Sequence, residues 1–291
     1  MNKPVTDFAA FGAPPAFAVP LHVAQLNLPD WARAERAFRG IFERRYFTNN
    51  GPLVRELDKA FAEYLGVGHA VSVINGTVGL MILAKALEIS GEVIVPALTF
   101  PATVQALSWA GLTPVFCDAD LGTHAITPEL VAPLIGGRTA GILGVHLWGR
   151  GCDVTGLQAM ADRHGLKLFF DACHAIGCTH GGRPIGNFGT GEVFSFHATK
   201  IVNGAEGGCI TTNDSALADR LRTIRNFNDG ETFARVSLRI NGKMSEAQAA
   251  LALLSLEDVA ENIAANRRRY DGYVVALAGL TGLELVRYPD S

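Results

Sequence analysis

The feature that most constrains the fold is a regular alternation of apolar, strand-like runs with helix-like segments between about residues 55 and 230. Between the runs lie segments in which apolar residues recur at helical spacing. Strands that are this uniformly apolar and are separated by helices predict a mostly parallel sheet covered by helices on both faces. The predicted strands are AVSVI, EVIVPA, TPVFCD, TAGILGVHLWG and KLFFDA, followed by the shorter runs EVFSF and GGCITT.

The composition and charge of the chain exclude several classes of protein. Of the 291 residues, 48% are hydrophobic and 18% are charged, which is the balance of a folded globular protein rather than of a disordered one. Lysine and arginine number 25 against 28 aspartate and glutamate residues, and no basic run favours binding to nucleic acid. We therefore expect partners that are small molecules or other protein chains.

Two apolar segments bear on the location of the protein. Residues 94–117 are uncharged and long enough to span a bilayer, but three prolines interrupt them. We predict strand, loop, helix and strand there, and no membrane span. Residues 1–20 have a lysine and several prolines where a signal peptide has an unbroken apolar stretch. The five cysteines are an odd number, which in a chain without a leader favours reduced thiols and a cytoplasmic location.

Candidate ligand-binding residues follow the predicted strands, because ligands of parallel α/β sheets collect at the carboxyl ends of the strands. Gly76 and Thr77 stand between a strand and an apolar helix, where backbone N–H groups bind phosphate; the alternative is an ordinary helix cap. Asp171 ends the apolar run KLFFD, and a buried carboxylate there calls for a cationic partner. A structural salt bridge or a cap is the alternative for Asp171.

Lys200, in SFHATK, follows an apolar strand and precedes a loop that contains glycine. A lysine in a partly desolvated pocket loses its proton and becomes a nucleophile toward carbonyl groups, whereas most lysines are merely solvated. The segment DACHAIGCTH, residues 171–180, is rich in metal-ligand residue types, but its spacings interleave and no second cluster completes a tetrahedral site. We therefore expect no metal there.

Taken together, these segments resemble the DegT/DnrJ family of sugar aminotransferases, which are pyridoxal 5'-phosphate (PLP) enzymes of the fold-type-I aminotransferase superfamily. The resemblance covers most of the chain and keeps the order of the family's motifs. It implies an α/β fold, a three-layer sandwich with a mostly parallel central sheet. The matching segments are TNNGPLVRELD, NGTVGL, EVIVPALTFPAT, GLTPVFCDAD, GVHLWGRGCDV, FFDACHAIGC, FSFHATK, AEGGCITT and NGKMSEAQAALAL.

The resemblance also implies roles for individual residues. Lys200 would carry the cofactor covalently, and Asp171 would pair with its protonated pyridine nitrogen. The phosphate would be held by Gly76, Thr77 and Ser195, the ring would stack on Phe100, and His174 would lie near the ring hydroxyl. Asn241 matches a family asparagine that reaches the cofactor of the neighbouring subunit, which implies a homodimer.

The substrate expected from the resemblance is a keto sugar linked to a nucleotide, with glutamate as amino donor. The segment SFH before the lysine is similar to enzymes that aminate C4, which favours C4 of dTDP-4-dehydro-6-deoxyglucose. Such a reaction belongs to deoxyamino-sugar and polysaccharide biosynthesis. Ile240 and Gly242 depart from the family pattern, and this departure bears on the sugar contacts more than on the cofactor chemistry.

A composition shift near Met244, together with the resemblance, predicts an N-terminal arm and helix at 1–50, a large PLP-binding domain at 51–244 and the beginning of a smaller C-terminal domain at 245–291. Family members usually continue beyond this point, so we expect a fragment or a short member that binds cofactor but turns over poorly unless the missing part is supplied. Two other functions remain open. One is a sugar dehydratase, whose family members have a histidine where this chain has Lys200. The other is a PLP-binding regulator or an inactive dimerisation module.

Overall fold

The computed structural model describes residues 9–21, 26–227 and 236–288, and within them the chain forms one large sheet with helices on both faces. A separate two-stranded hairpin follows the fifth strand. The strands are β1 His69–Val73, β2 Glu92–Pro96, β3 Thr113–Cys117, β4 Thr139–Val145, β5 Lys167–Asp171, β6 Thr179–His180, β7 Arg183–Pro184, β8 Glu192–Ser195 and β9 Gly208–Thr212.

The helices alternate with the strands through the middle of the chain and then follow one another at its end. Short 3₁₀ turns at Ala9–Phe11, Ala132–Leu134 and Leu147–Gly149 complete the regular structure of the described residues. The helices are α1 Trp31–Arg44, α2 Pro52–Leu65, α3 Gly76–Ala86, α4 Pro101–Trp109, α5 Pro128–Val131, α6 Val154–His164, α7 Ser215–Arg225, α8 Glu246–Glu257 and α9 Val259–Ala276.

Local sequence signals account for several helix ends. Helix α2 begins with Pro52, whose missing N–H costs nothing in the first turn, and ends at Gly66, which adopts a left-handed φ of 64°. Helix α8 begins with a capping box in which Ser245 and Gln248 each bind the other's backbone N–H.

The central sheet has the strand order β1-β9-β8-β5-β4-β2-β3. Strand β9 runs antiparallel to both of its neighbours, and the other pairs are parallel. The prediction of a mostly parallel sheet is confirmed. The turn from β8 back into β9 places the segment with Lys200 at the same edge of the sheet as the carboxyl ends of β1, β4 and β5.

Apolar side chains cover the sheet on both faces. On one face α3, α4 and α7 pack on the sheet around Leu83, Phe169 and Leu221. On the other face α2 and α8 pack around Phe61, whose ring meets the rings of Phe194 and Phe196 edge-on at 5.3 and 5.1 Å. Burial of apolar surface stabilises the folded state by roughly 25 cal/mol for each Å². Because helices cover both faces, packing on both sides stabilises the sheet.

The apolar stretch 94–117 folds as strand, loop, helix and strand, as predicted, because it contains most of β2, all of α4 and β3. In the described residues no helix is both long and apolar enough to cross a membrane.

The predicted domain bounds stay a prediction, and they include residues 1–8, 22–25, 228–235 and 289–291, which lie outside the described residues. Helix α8, beyond the predicted boundary at 244, packs on both α1 and α2. Arg33 of α1 donates hydrogen bonds of 2.9 and 2.8 Å to the carboxylate of Asp258 and one of 2.6 Å to Glu257. The segments on either side of 51–244 are therefore in direct contact with each other.

Candidate active site

A cavity of about 370 Å³ lies at the carboxyl edge of the sheet. Its wall is formed by the loops that follow β1, β2, β4, β5 and β8, which is where ligands of such sheets bind. The structure brings most of the predicted site residues together here. Those that line the cavity are Gly76, Thr77, Phe100, Asp171, His174, Ser195 and Lys200.

One end of the cavity is formed by the first turn of α3. Asn75 caps this helix, because its Oδ1 accepts a hydrogen bond of 2.8 Å from the N–H of Val78. Gly76 and Thr77 are the first two helical residues, and the N–H groups of a first turn have no partner inside their own helix. A Cβ at Gly76 would lie 3.1 Å from Sγ of Cys173, so glycine keeps this end of the cavity open. Such a helix start is suited to bind a phosphate.

Ser195, the last residue of β8, lies beside this helix start. A Cβ at Gly76 would lie 3.3 Å from that of Ser195, which places the serine against the same end of the cavity. Its hydroxyl oxygen accepts a hydrogen bond of 3.2 Å from the N–H of His197. Because a serine hydroxyl both donates and accepts, the proton of Ser195 is left to donate to an oxyanion.

Asp171 ends β5 and is 5% exposed. Its carboxylate accepts hydrogen bonds from the N–H of Cys173, at 3.0 Å, and from the hydroxyl of Thr103, at 2.8 Å. Among the parts of the chain that the structure describes, no lysine, arginine or histidine lies within ion-pair distance of this carboxylate. The sequence-based alternatives of a structural salt bridge or a cap do not describe these contacts, and a cation entering the cavity would complete the site.

Lys200 and His174 both line the cavity, and the pKa of each is lowered, which disfavours its charged form. Burial lowers the pKa of the Lys200 amine, against the opposing effects of Cys173 and Asp171. Burial also lowers the pKa of His174, and the neighbouring charge of Lys200 lowers it further. A lysine with a lowered pKa is the nucleophilic amine that covalent attachment of a carbonyl compound requires.

Phe100 stands at the mouth of the cavity, where its side chain is 66% exposed. It is the N-terminal cap residue of α4, and Pro101 follows it at the first helical position. Both features hold the backbone of Phe100 in an extended conformation. The ring is therefore positioned to cover a planar ligand.

Two groups of residues that support the cavity were missed by the reasoning from sequence. Thr103 is fully buried behind Asp171, and its own hydroxyl lies 2.8 Å from that of Thr99. His146, which lines the cavity, is hydrogen-bonded through Nε2 to the fully buried Glu192 at 3.2 Å. The Nδ1 atom of His146 accepts from the N–H of Cys152 at 3.1 Å, which leaves Nε2 as the donor to Glu192. The sequence signal that could have indicated such partners is a polar residue beside an apolar run, such as Glu192 before VFSF.

The segment DACHAIGCTH divides between two cavities. Asp171, Cys173 and His174 line the cavity described above, whereas Cys178 and His180 line a second cavity of about 550 Å³. The Sγ of Cys178 lies 3.1 Å from the carbonyl oxygen of Gly149, to which the thiol donates. Within the described residues, no group of three or more His, Cys, Asp or Glu side chains is arranged to hold a metal ion.

Asn241 is exposed and is not among the described residues that line the cavity; its Oδ1 accepts a hydrogen bond of 2.5 Å from Lys243. The role predicted for it, in the cofactor site of a neighbouring subunit, stays a prediction.

Glu246, five residues after Asn241, has a structural role that the sequence did not reveal. Its two carboxylate oxygens accept from the first N–H groups of α2, at Leu53 and Val54, at 3.0 and 3.1 Å.

The model of the DegT/DnrJ/EryC1/StrS aminotransferase family matches residues 31–291. The chain belongs to this family. The resemblance read from the sequence motifs is thereby confirmed, and so is the prediction that the chain is a transaminase by family.

Curated members of the family resemble the chain over most of its length. The dTDP-4-amino-4,6-dideoxy-D-glucose transaminase of Shigella dysenteriae is 34% identical over 267 residues, which cover 92% of this chain and 73% of that protein. The UDP-N-acetyl-3-dehydro-alpha-D-glucosamine 3-aminotransferase of Acidithiobacillus ferrooxidans is 37% identical over 229 residues, covering 78% and 62%. The chain therefore spans less than two thirds of the second protein. The first name gives a 4-amino sugar and the second a 3-amino sugar.

The solved structure of DesI in the presence of its TDP-sugar product superimposes on this chain with a TM-score of 0.93 and 46% sequence identity. The superposition covers 98% of this chain and 72% of DesI. The predicted fold class is confirmed, and the comparisons place the chain in a family of nucleotide-sugar aminotransferases.

Enzymes of the DegT/DnrJ/EryC1/StrS family depend on PLP, and the cavity fits this cofactor. A glycine cradle and a spare serine hydroxyl lie at one end, which suits a phosphate. A buried carboxylate whose described partners are neutral donors lines the same cavity, which suits a protonated ring nitrogen. The reactive lysine lines the same cavity. The donor set thus matches a phosphorylated, cationic aromatic aldehyde.

Proposed function

We propose that the chain is a PLP-dependent aminotransferase that moves an amino group from glutamate to C4 of a nucleotide-linked 4-keto-6-deoxy sugar, as expected for dTDP-4-dehydro-6-deoxyglucose. The observation that carries the proposal is the convergence of Lys200 and Asp171 on one cavity with a phosphate-binding helix start. The site residues named below keep the roles that the family resemblance implies.

Binding of the cofactor is assigned to two groups of residues. The N–H groups at Gly76 and Thr77 and the hydroxyl of Ser195 would bind and orient the phosphate. Asp171 would keep the ring nitrogen protonated. When bound, PLP supplies an electron-withdrawing ring that stabilises negative charge at the carbon from which a proton is removed.

Proton transfer is assigned to Lys200. With PLP bound, its Nζ, displaced by the incoming amine, would move the proton between the substrate carbon and the cofactor. Because Lys200 is tethered beside the reacting atoms, this step is intramolecular, which removes a large entropic barrier. Phe100 holds the ring plane, and an aromatic contact of this kind adds about 0.5–1.5 kcal/mol beyond burial. His174 lies close enough to Lys200 and Asp171 for their charges to act on it, and in the role that the resemblance implies it would lie near the ring hydroxyl.

Borohydride reduction followed by peptide mapping tests the cofactor assignment. After incubation with PLP and reduction, we expect a stable pyridoxyl adduct on Lys200. Lys200→Ala removes the adduct, whereas the exposed Lys59→Ala, which replaces a surface lysine of α2, leaves it in place. An adduct mainly on another lysine, or no adduct, would refute the assignment.

The substrate is tested with a panel of nucleotide keto sugars. The dTDP-linked 4-keto sugar is compared with GDP-linked and UDP-linked sugars and with a 3-keto sugar, each with glutamate as donor. We expect product with the 4-keto sugar, and the same assay measures whether this chain turns over. Product from the 3-keto sugar alone would move the assignment to C3. Cofactor binding without transamination of any sugar would favour a regulator or an inactive module.

The proposed homodimer rests on Asn241, which the resemblance places at the cofactor phosphate of the neighbouring subunit. Light scattering of the purified protein should give twice the chain mass of 31.0 kDa. Asn241→Ala should weaken PLP binding without changing the adduct position. A monomer that binds PLP as tightly as the dimer would contradict this proposal.

A further inference from the structure

Behind the cavity, Asp171 is held by a residue that does not reach the cavity itself. Thr103 is 0% exposed and lies in the first turn of α4, where its hydroxyl is 2.8 Å from Oδ2 of Asp171. The other carboxylate oxygen accepts from the N–H of Cys173 at 3.0 Å. Of these two bonds, only the one from Thr103 comes from a side chain.

Thr103 has a second hydroxyl neighbour, and the chemistry of the groups fixes the direction of both bonds. Its Oγ1 lies 2.8 Å from Oγ1 of Thr99, and either oxygen of that pair is able to donate. A carboxylate, however, only accepts, so the single hydroxyl proton of Thr103 goes to Asp171. The oxygen of Thr103 must then accept from Thr99. The order of donation is Thr99 to Thr103 to Asp171, and hydrogen bonds in such a series strengthen one another.

The position of the two threonines ties this series to the cavity. Thr99 lines the cavity in the loop after β2, and Thr103 follows it by four residues, one helical turn away. Phe100 lies between them, and its carbonyl oxygen accepts from the N–H of Thr103 at 3.0 Å. The turn that carries the ring-stacking phenylalanine therefore also carries both hydroxyl groups that reach Asp171.

We propose that Thr99 and Thr103 form a directed hydroxyl chain that holds the Asp171 carboxylate in the orientation in which it would meet the protonated ring nitrogen of the cofactor. This inference rests on the proposed function. Thr103 is a positioning residue, because it acts on the cofactor only through Asp171. Thr99 is the outer link, which connects the carboxylate to the wall of the cavity.

Thr103→Val tests the chain, because valine has nearly the shape of threonine but no hydroxyl. We expect PLP to bind about tenfold more weakly, since Oδ2 of Asp171 loses its donor. The pH midpoint of the visible band of the bound cofactor should rise by about one unit, because a less firmly protonated ring withdraws less charge from the lysine-linked nitrogen to which this band responds. Thr103→Ser should restore both values, and Thr99→Val should shift both in the same direction by a smaller factor, about threefold.

The matched control is Thr211→Val. Thr211 is also fully buried, and its hydroxyl donates to the carbonyl oxygen of Gly186 at 2.8 Å, away from the cavity. This variant loses a comparable hydrogen bond, so it should lower the melting temperature and leave PLP affinity and the pH midpoint unchanged. If Thr103→Val does not fold, Thr103→Ser and Thr99→Val are compared with the control in the same two measurements.

The outcomes separate this inference from the proposed function. If the unaltered protein gives the adduct on Lys200 but Thr103→Val binds PLP with unchanged affinity and pH midpoint, only the hydroxyl chain is refuted. The same conclusion follows if Thr103→Ser is as weak as Thr103→Val, because the methyl group and not the hydroxyl would then matter. If the unaltered protein binds no PLP, both the proposed function and this inference fall.

Discussion

Two carboxylates are buried on neighbouring strands of the central sheet, Asp171 at the end of β5 and Glu192 at the start of β8. Glu192 is fully satisfied by the protein. Its Oε1 accepts from the N–H groups of Gly186 and Phe188 at 2.8 and 2.7 Å, and its Oε2 lies 3.2 Å from Nε2 of His146. Three donors converge on this side chain, and Glu192 is not among the described residues that line the cavity.

Asp171 has two neutral donors in the described residues and lines the cavity. The contrast shows how a structural buried carboxylate differs from a functional one. Burial alone does not distinguish them, because Asp171 is only 5% exposed and Glu192 is 0% exposed. What distinguishes them is whether the protein itself completes the hydrogen bonds of the group, as three donors do for Glu192.

The largest effect is expected from Asp171→Asn. Because the ring nitrogen would lose its charged partner, we expect kcat to fall by about 10³-fold. The free energy of unfolding of the cofactor-free protein should change by less than about 1 kcal/mol, since the variant removes a charge that lacks a cationic partner in the described residues. Transaminase assays and denaturant titrations measure the two quantities. A large loss of stability would show that Asp171 is as structural as Glu192.

The converse variant, Glu192→Gln, should act mainly on stability. Its amide NH₂ would face the Nε2–H of His146, so two donors would meet, at a cost of about 2 kcal/mol in the free energy of unfolding. Activity per folded molecule should stay within about threefold of the original, because Glu192 is buried behind the cavity wall. Urea unfolding and active-site titration check these expectations. A loss of kcat like that of Asp171→Asn would erase the distinction between the two carboxylates.

A smaller effect is expected in the reactivity of Lys200 relative to the exposed Lys59. Because burial lowers the pKa of Lys200, its neutral, nucleophilic amine appears at lower pH than that of an ordinary lysine. At pH 7.5 we expect about tenfold more pyridoxyl label on Lys200 than on Lys59, given anchoring of the phosphate nearby. Mass spectrometry after borohydride reduction, repeated across pH 6 to 10, measures the ratio. Labelling of both lysines with one pH profile would contradict the expectation.

The smallest effects should come from the two partly buried cysteines of DACHAIGCTH. Burial, reinforced by Asp171, raises the pKa of Cys173 well above its usual range, so this thiol stays protonated. Cys173→Ala and Cys178→Ala should each cost at most about 1 kcal/mol of stability, as the loss of one small buried group does. PLP affinity, measured by absorbance titration, should not change in either variant. A marked loss of affinity in Cys173→Ala alone would place its thiol in the cofactor chemistry.

Much of the site could be predicted from the sequence because its residues occupy positions with strong local signals. Gly76 starts a helix after a strand, Asp171 ends an apolar run, and Lys200 follows one. These signals depend on a few neighbouring residues, and the ends of parallel strands meet at one edge of the sheet. Residues 171–180 are rich in metal-ligand residue types, but local signals of this kind do not show in which direction each side chain points.

The supporting contacts could not be predicted, because they join residues that are far apart in the chain. Thr103 is 68 residues from Asp171, and His146 is 46 residues from Glu192. Glu246 binds the start of α2 from 192 residues away. No local pattern records which polar side chain will lie opposite another once the sheet has closed.

The sequence by itself therefore determined the order of strands and helices along the chain, the family and the residues at the strand ends. Apolar periodicity and turn signals depend only on residues that are close together in the chain. Only the tertiary structure decided how each buried charge is satisfied. The hydrogen bonds of Asp171 and Glu192 depend on distances of a few Å between elements, and packing sets these distances. That difference leaves one carboxylate complete within the fold and the other directed to the cavity.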